Sequence, residues 1–442
     1  MKNKKFGIVL FIILFSYFLI LMDNSIIFTG TVKIASELHL NESELSWVSN
    51  AYTITFGGFL LLAGRLGDFV GRKRIFLAGL VIFGLSSLAV GLSQNPMQII
   101  SFRAIQGVGS AILAPTSLAI LMDNYQGEMR MKAISYYGAT AGIGSSVGLL
   151  LGGWLTSAFS WRMGFLINVP FTIFLIMLTV FKIFDKNEPQ TTKIDFLGAF
   201  FSVIFALLFV YGITVSNMLL IILSALILVL FIVWEHSQTS PIMPLALFTN
   251  RIRSGAYIAR FTFMMAMLTY WFILPQIMQN HYGFTPFQAG MGFLPLTIVN
   301  FIAALYLPRL TVKLGNNKVM ILGQGILLVG MLLSAIIDPR NGYLLTIGLP
   351  MILVGIGQGW LLAPLTSAGV EGVSSELSGA ASGMTNTVHQ IGGPVGLSIV
   401  VLFTSNVLGN WLSYYHMVMG FVVAFNALGL GVLLFTNLGR KR

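Results

Sequence analysis

Runs of about twenty apolar residues recur along nearly the whole chain, and that repetition decides what it can fold into. A helix needs about 20 apolar residues to cross the bilayer core, and in hydrocarbon only helices and closed barrels satisfy their backbone polar groups. Barrel strands alternate apolar and polar residues over about ten positions. Residues 7–22, GIVLFIILFSYFLILM, are apolar without alternation. Composition agrees, with 56% of the 442 residues hydrophobic and 9% charged, against roughly a quarter charged in soluble domains. The chain reads as an all-α integral membrane protein.

Fourteen spans are expected. The first eight cover 6–30, 45–64, 75–93, 98–121, 133–158, 162–182, 195–215 and 218–234. Six more cover 254–278, 286–308, 319–337, 343–364, 379–404 and 415–437. With both termini cytoplasmic, the inner segments carry 20 of the 25 Lys and Arg, and the outer loops carry Lys33, Arg162 and Arg340. Arg103 and Arg260 fall within spans. This asymmetry satisfies the positive-inside rule. The opening MKNKK and the apolar run after it mimic a secretory signal. No small-residue cleavage site follows, so the run is expected to remain as span 1.

The net charge of +11 is scattered over short loops and forms no basic stripe, which argues against a nucleic-acid partner. Cysteine is absent, and the five histidines lack metal-ligand spacing. No metal or cofactor is expected. No GxxxxGK[ST] occurs, so a proton or ion gradient would have to drive any transport.

Two internal echoes organise the spans. RLGDFVGRKR from Arg65 is matched 244 positions later by RLTVKLGNNK from Arg309, and QGVGSAILAPTS from Gln106 by QGWLLAPLTS from Gln358. Their register pairs spans 1–6 with spans 9–14. Residues 1–184 and 254–442 then form two six-helix halves, with 185–253 carrying an inserted pair. Many transporters are built from such repeats around a central site.

Several segments resemble the major facilitator superfamily. GRLGDFVGRKR (64–74) is similar to its loop 2–3 signature, and Arg103 with Gln106, Gly107 and Gly109 to its helix 4 motif. Gly144, Gly148, Gly152 and Gly153 resemble the helix 5 motif of its antiporters. WRMGFLINVP (161–170), LMDNSI, SWVSNAY and SGMTNTVHQIGG are similar to the fourteen-helix drug:proton antiporter branch. Leu149 stands where the antiporter motif usually carries proline, and His389 where the branch often has arginine. Span 10 lacks the second acid found in some members. The resemblance implies two pseudo-symmetric six-helix halves with two inserted helices, exporting drugs in exchange for protons.

Asp23 is the acid that sits well inside an apolar run. At ~1.5 Å per residue it lies ~25 Å along its helix from Phe6, and a carboxylate there costs about 3 kcal/mol on insertion scales. Such a group suits alternate binding of a proton and a cationic substrate. Arg103 is expected to sense its proton, and the alternative is snorkelling to the interface. Arg260, near the inner end of its span, is expected to snorkel. Gly64, Asp68, Arg72 and Asp123 are expected to form a cytoplasmic latch, with an Arg72–Asp123 pair. The helix 5 glycines allow close packing.

Candidates for a drug cavity are Asp23, Tyr52, Trp271, Gln276, Asn300, Gln358, Trp360, Asn386 and His389. Tyr270 and the methionines 264, 265 and 267 would add adaptable apolar surface. Asp195 is expected to cap span 7 and Glu235 to be solvated.

The expected function is proton-coupled multidrug efflux across a bacterial inner membrane, exporting lipophilic monovalent cations and zwitterions such as dyes and fluoroquinolone-like drugs. Expected partners are those drugs and dyes, protons and membrane lipids, with the chain acting as a monomer. Transport of a specific metabolite on the same scaffold is the alternative. An enzyme is disfavoured because no nucleophile–base or metal constellation appears.

Overall fold

The computed structural model describes residues 6–184, 195–239, 241–374, 377–407 and 409–437, without the side chains of Asp68, Ala141 and Ser378. Fourteen helices among the described residues are long and apolar enough to cross a membrane. Helices 1–7 are Ile8–Leu38, Glu42–Gly67, Arg72–Gly91, Pro96–Asn124, Gly127–Ala158, Trp161–Lys182 and Phe196–Thr214. Helices 8–14 are Met218–Ser237, Arg251–Asn280, Pro286–Leu314, Asn316–Ile336, Leu344–Gly369, Gly379–Val407 and Trp411–Asn437. Each overlaps one expected span, and no strand occurs among the described residues. The protein is a multi-pass membrane protein.

Local chemistry sets the helix ends. Asn41 accepts from Glu44 N while Glu44 reaches back to Asn41 N, a capping box that starts helix 2. Asn95 caps helix 4, with Pro96 at the first turn, where its missing N–H is harmless. Helix 1 runs past the expected end at residue 30, because no breaker intervenes before His39 turns to a left-handed φ of 53°. Lys33 therefore lies on a helix and not in an outer loop.

Helix pairing repeats between the first and last six spans. Helix 1 packs on 5, 2 on 4, and 3 on 4 and 6; likewise 9 packs on 13, 10 on 12, and 11 on 12 and 14. The sequence echo has a backbone counterpart. Gly71 and Gly315, aligned by the repeat, stand just before helices 3 and 11 with φ of 106° and 80°, which glycine adopts without strain.

Glycine also sets the closest helix contacts. A Cβ on Gly148 would lie 2.8 Å from that of Ser25, and one on Gly152 2.8 Å from Ile26 Cα, so helix 5 lies directly on helix 1. Gly144 meets Leu21 and Phe18 in the same seam. Gly392 and Gly396 bring helix 13 onto Phe261 and Met265 of helix 9.

Two main seams join the first six helices to the last six, beside a smaller contact of helix 1 with helix 9. Helix 2 runs against helix 13: Asn50 donates to Ser398 Oγ at 3.0 Å, Thr387 donates to Gly57 O, and Gly383 meets Leu61. Helix 7 covers this seam, with Thr214 donating to Ser398 Oγ at 2.9 Å and Val203 filling the space beside Gly58. Helix 8 packs behind helix 7.

The other seam, helix 5 on helix 10, is made mainly by the first segment of helix 10, Pro286–Met291. There Gly153 faces Pro286 and Phe287, Gly290 faces Leu149 O, and Phe287 N donates to Ser157 Oγ at 3.0 Å. Nearer the start of helix 5, Gly138 and Gly142 face open space.

Glu235 departs from its expected solvation. It is 2% exposed and accepts from Met243 N at 2.9 Å, because the chain folds back over the end of helix 8. Asp195 caps helix 7, accepting from Gly198 N at 2.8 Å, and also binds Trp234 Nε1.

Candidate functional site

The deepest polar cluster is assembled by helices 1, 2, 3, 4 and 6 around Asp23, which is fully buried. Helix 4 reaches it because Gly107 lets the backbone press on Tyr52 O and Thr55 of helix 2. Helix 6 reaches it through a break. Pro170 has no N–H for the carbonyl of Leu166, the helix divides into Trp161–Leu166 and Asn168–Lys182, and Asn168 opens the second piece.

Three side chains donate to the Asp23 carboxylate. Arg103 Nη1 lies 2.7 Å from Oδ2, while Gln106 Nε2 at 2.9 Å and Asn168 Nδ2 at 2.7 Å reach Oδ1. Gln106 also donates to Ser87 Oγ at 2.8 Å. Arg103 is fully buried too; its Nε donates to Val48 O, and its guanidinium lies 4.1 Å from the Tyr52 ring centre and 5.5 Å from that of Phe165. On two of the residues that meet Asp23, Arg103 Nη2 and Asn168 Oδ1 have no partner among the described residues.

This geometry suits a charged Asp23, because an ionised carboxylate is an acceptor only and three donors converge on it. A proton would remove the charge that Arg103 faces. Breaking a buried ion pair by removing one partner destabilises by about 3–5 kcal/mol. Snorkelling does not describe Arg103, since its charged end has no exposure.

Where helix 3 begins beside the end of helix 4, Arg72 Nη1 lies 2.6 Å from Asp123 Oδ1 and donates to Ala119 O at 3.1 Å. Gly64 meets Pro115, and Gly67 leaves room for the Arg72 stem. The side chain of Asp68 lies outside the described residues. In the second half Asn316 holds the position of Arg72 and donates to Pro364 O at 3.1 Å. The repeat keeps this tie to the adjoining helix with a neutral side chain.

The cavity candidates do not form one group. Asp23 and Tyr52 belong to the sealed cluster; Tyr52 is fully buried with its hydroxyl 2.8 Å from Ser110 Oγ. They do not line a drug cavity in this conformation, because helices 1, 2, 4 and 6 close around them. Trp271 lies beside Phe28 across helices 9 and 1. Gln276 and Asn386 each donate to a carbonyl one turn back on their own helix, and Asn386 is exposed. Trp360 donates to Ala303 O, tying helix 12 to helix 10, where Asn300 is partly buried.

Gln358 is buried with Oε1 unpartnered, and His389 stacks on Phe263 with Nδ1 unpartnered. Tyr270 and the three methionines are buried in packed core and offer no adaptable surface. Arg260 does not snorkel. It is 7% exposed and donates to Thr366 Oγ1 at 2.6 Å, because helix 12 covers it.

Asn168 and Ser87 were not among the candidates. Asn168 had a signal, since it lies in the INVP segment of a motif. Ser87 had none, because a lone serine in an apolar span is ordinary.

Fourteen helices, paired alike in the two sets of six and holding a buried ion pair, define a transporter and not an enzyme. The chain matches the Major Facilitator Superfamily over residues 13–397 and belongs to that family. It is 32% identical to the cephamycin export protein CmcT of Amycolatopsis lactamdurans over 405 residues, 88% of this chain and 83% of that one. It is 29% identical to the puromycin resistance protein of Streptomyces alboniger in an alignment that covers 97% of this chain and 89% of that one. A crystal structure of the peptide transporter POT has the same fold, with a TM-score of 0.73 at 16% identity over 97% of this chain and 94% of the other.

Proposed function

We propose that this protein is a proton-coupled multidrug exporter of a bacterial inner membrane, with both termini cytoplasmic. Two six-helix halves, 1–184 and 254–442, rock about a central cavity, and the pair within 185–253 braces one seam. The observation that carries the coupling is the sealed Asp23–Arg103 pair with its donors Gln106 and Asn168. Proton arrival at Asp23 frees Arg103 and lets helices 1, 4 and 6 shift; proton release restores the pair.

Export is supported by the relatives named for cephamycin export and puromycin resistance, and by helix 5 meeting helix 10 mainly through the segment Pro286–Met291, with open space beside Gly138 and Gly142. That arrangement suits loading from the cytoplasm. The Arg72–Asp123 latch holds one resting state, and 1–3 kcal/mol of differential stabilisation is enough to set a population. Substrates are lipophilic monovalent cations and zwitterions.

Dye and antibiotic efflux in everted vesicles, with pH and potential gradients imposed separately, tests this reading. Acid-inside vesicles should accumulate an ethidium-like dye only when the protein is present. Dye movement indifferent to the pH gradient would rule out proton exchange.

A further inference from the structure

Asp195 and Glu235 bring two carboxyl groups together on the inserted pair of helices, away from the coupling cluster. Asp195, at the start of helix 7, is 8% exposed, and Glu235, in the last turn of helix 8, is 2% exposed. One oxygen of each is satisfied. Asp195 Oδ1 accepts from Gly198 N and from Trp234 Nε1, both at 2.8 Å, and Glu235 Oε2 accepts from Met243 N at 2.9 Å. The other two, Asp195 Oδ2 and Glu235 Oε1, have no hydrogen-bond partner among the described residues. Both border one gap: a Cβ on Gly198 would lie 2.6 Å from Glu235 Oε1 and nearer still to Asp195 Oδ2. Neither acid forms an ion pair among the described residues.

An ionised carboxylate only accepts. Two of them here would leave two buried oxygens without donors and two like charges side by side, and like charges so close do not both ionise. One proton removes both faults, because a carboxyl donates to a carboxylate through a short, charge-assisted bond. The helices favour one carrier. Asp195 caps the N-terminus of helix 7, where the dipole and two donors stabilise negative charge. Glu235 lies at the opposite kind of helix end, where the dipole disfavours it. The hydrogen therefore belongs on Glu235 Oε1, directed at Asp195 Oδ2.

We propose that Asp195 and Glu235 are a second proton-binding site, whose shared proton fastens the chain after helix 8 onto helix 2. Glu235 holds Met243 N, Arg65 Nη2 of helix 2 donates to Pro241 O at 2.7 Å, and Ile242, 3% exposed, packs with Leu62 of helix 2 and Ala199 of helix 7. Loss of the proton sets two carboxylates against each other, drives Glu235 from the gap and lifts residues 241–243 off helix 2. The clasp is thus closed at low pH and opens as pH rises. Helices 7 and 8 pack on each other, so rocking of the halves does not part the acids, and this proton is retained instead of exchanged for drug. Other charged or titratable groups at this end are Arg65, Asp68 just after helix 2, and the exposed His236 of helix 8; His389 of helix 13 stacks on Phe263 of helix 9 instead. The proton site stands on its own geometry, whereas its control of transport, as a sensor of cytoplasmic pH, rests on the exporter reading.

The chain has no cysteine, so a single introduced thiol reports on the clasp. I242C and, as an exposed control on helix 8, S237C are prepared in the full chain in nanodiscs. Each is labelled with a membrane-impermeant maleimide from about pH 6 to about pH 9, wide enough to take the last proton from a coupled acid pair. Dividing by the S237C rate removes the thiol's own titration, and I242C should then become about fivefold more reactive as the segment opens locally. In I242C/E235Q and I242C/D195N an amide N–H replaces the shared proton as donor, so the ratio should stay low and within about twofold. No rise in I242C, or the same rise in both amide variants, would overturn the proposal. So would protection at alkaline pH by sodium ions, which would assign the gap to a metal cation. Thermal unfolding of each variant confirms that it is folded, and the series on I242C alone alters neither acid. Dye efflux at a constant pH difference should fall as both sides are made alkaline, and E235Q should resist the fall. Equal falls in the two would refute the control of transport. A wild type that exports no dye would sink the exporter reading, while the labelling still decides the proton site.

Discussion

Arg103 Nη1 stands 2.7 Å from Asp23 Oδ2 with neither side chain exposed, and the Tyr52 ring lies beneath the guanidinium at 4.1 Å. A desolvated cation–π contact contributes about 2 kcal/mol, and a hydroxyl hydrogen bond about 1 kcal/mol. Tyr52→Phe keeps the ring and loses only the bond to Ser110, so it should retain most transport. Tyr52→Leu removes the ring and should lower both thermal stability and turnover. Equal behaviour of the two in a dye-efflux assay would mean that the ring does not hold Arg103.

If the Arg72–Asp123 pair is the latch proposed above, it governs exchange between states and not drug contacts. Arg72→Ala or Asp123→Ala should slow transport with drug binding largely kept. Fluorescence titration checks binding, and an affinity loss above ~1.4 kcal/mol, tenfold in Kd, with turnover intact would contradict the latch.

The outer contact between helices 5 and 10 can be locked. Phe287 N donates to Ser157 Oγ at 3.0 Å, and the native chain has no cysteine to compete. A Ser157→Cys/Phe287→Cys pair should block transport when oxidised and recover with reductant. Full transport by the cross-linked protein would show that these ends need not part.

What the sequence made legible follows from contrast with hydrocarbon. All fourteen helices could be read because bilayer thickness demands long apolar runs, and Asp23 and Arg103 because charge inside such runs is rare. Neutral partners give no such contrast: Asn168 is marked only by the motif that contains it, and Ser87 becomes visible only once helix 3 is placed beside helix 1. Arg260 was misread for a related reason. Position along helix 9 gives its depth, but only packing shows that helix 12 covers it and supplies Thr366. Tyr52 likewise faces inward within its own half, a choice of helix face that the small polar residues spread around that span do not encode.

Charge count makes an energetic prediction if one proton enters per drug. Exchange for a monovalent cation moves no net charge, so only the pH gradient drives it, about 1.36 kcal/mol per unit. A net-neutral zwitterion leaves one charge moving inward, adding about 2.3 kcal/mol per 100 mV. Collapsing the potential with valinomycin at fixed pH gradient should reduce zwitterion export and largely spare monovalent-cation export. Equal sensitivity, or robust export of rigid dications, would require a second proton-binding group.

The most direct test of the coupling account is proton release measured in proteoliposomes as a dye is transported by wild type, Asp23→Asn and Asp23→Glu. An asparagine strands Arg103 without a counter-charge, so some loss of stability is expected and thermal unfolding should be recorded beside transport. Asp23→Asn should remain folded, bind dye and show no proton exchange, while Asp23→Glu, which keeps the charge, should retain part of it. Proton exchange at the wild-type rate in Asp23→Asn would contradict the assignment of Asp23 as the coupling group.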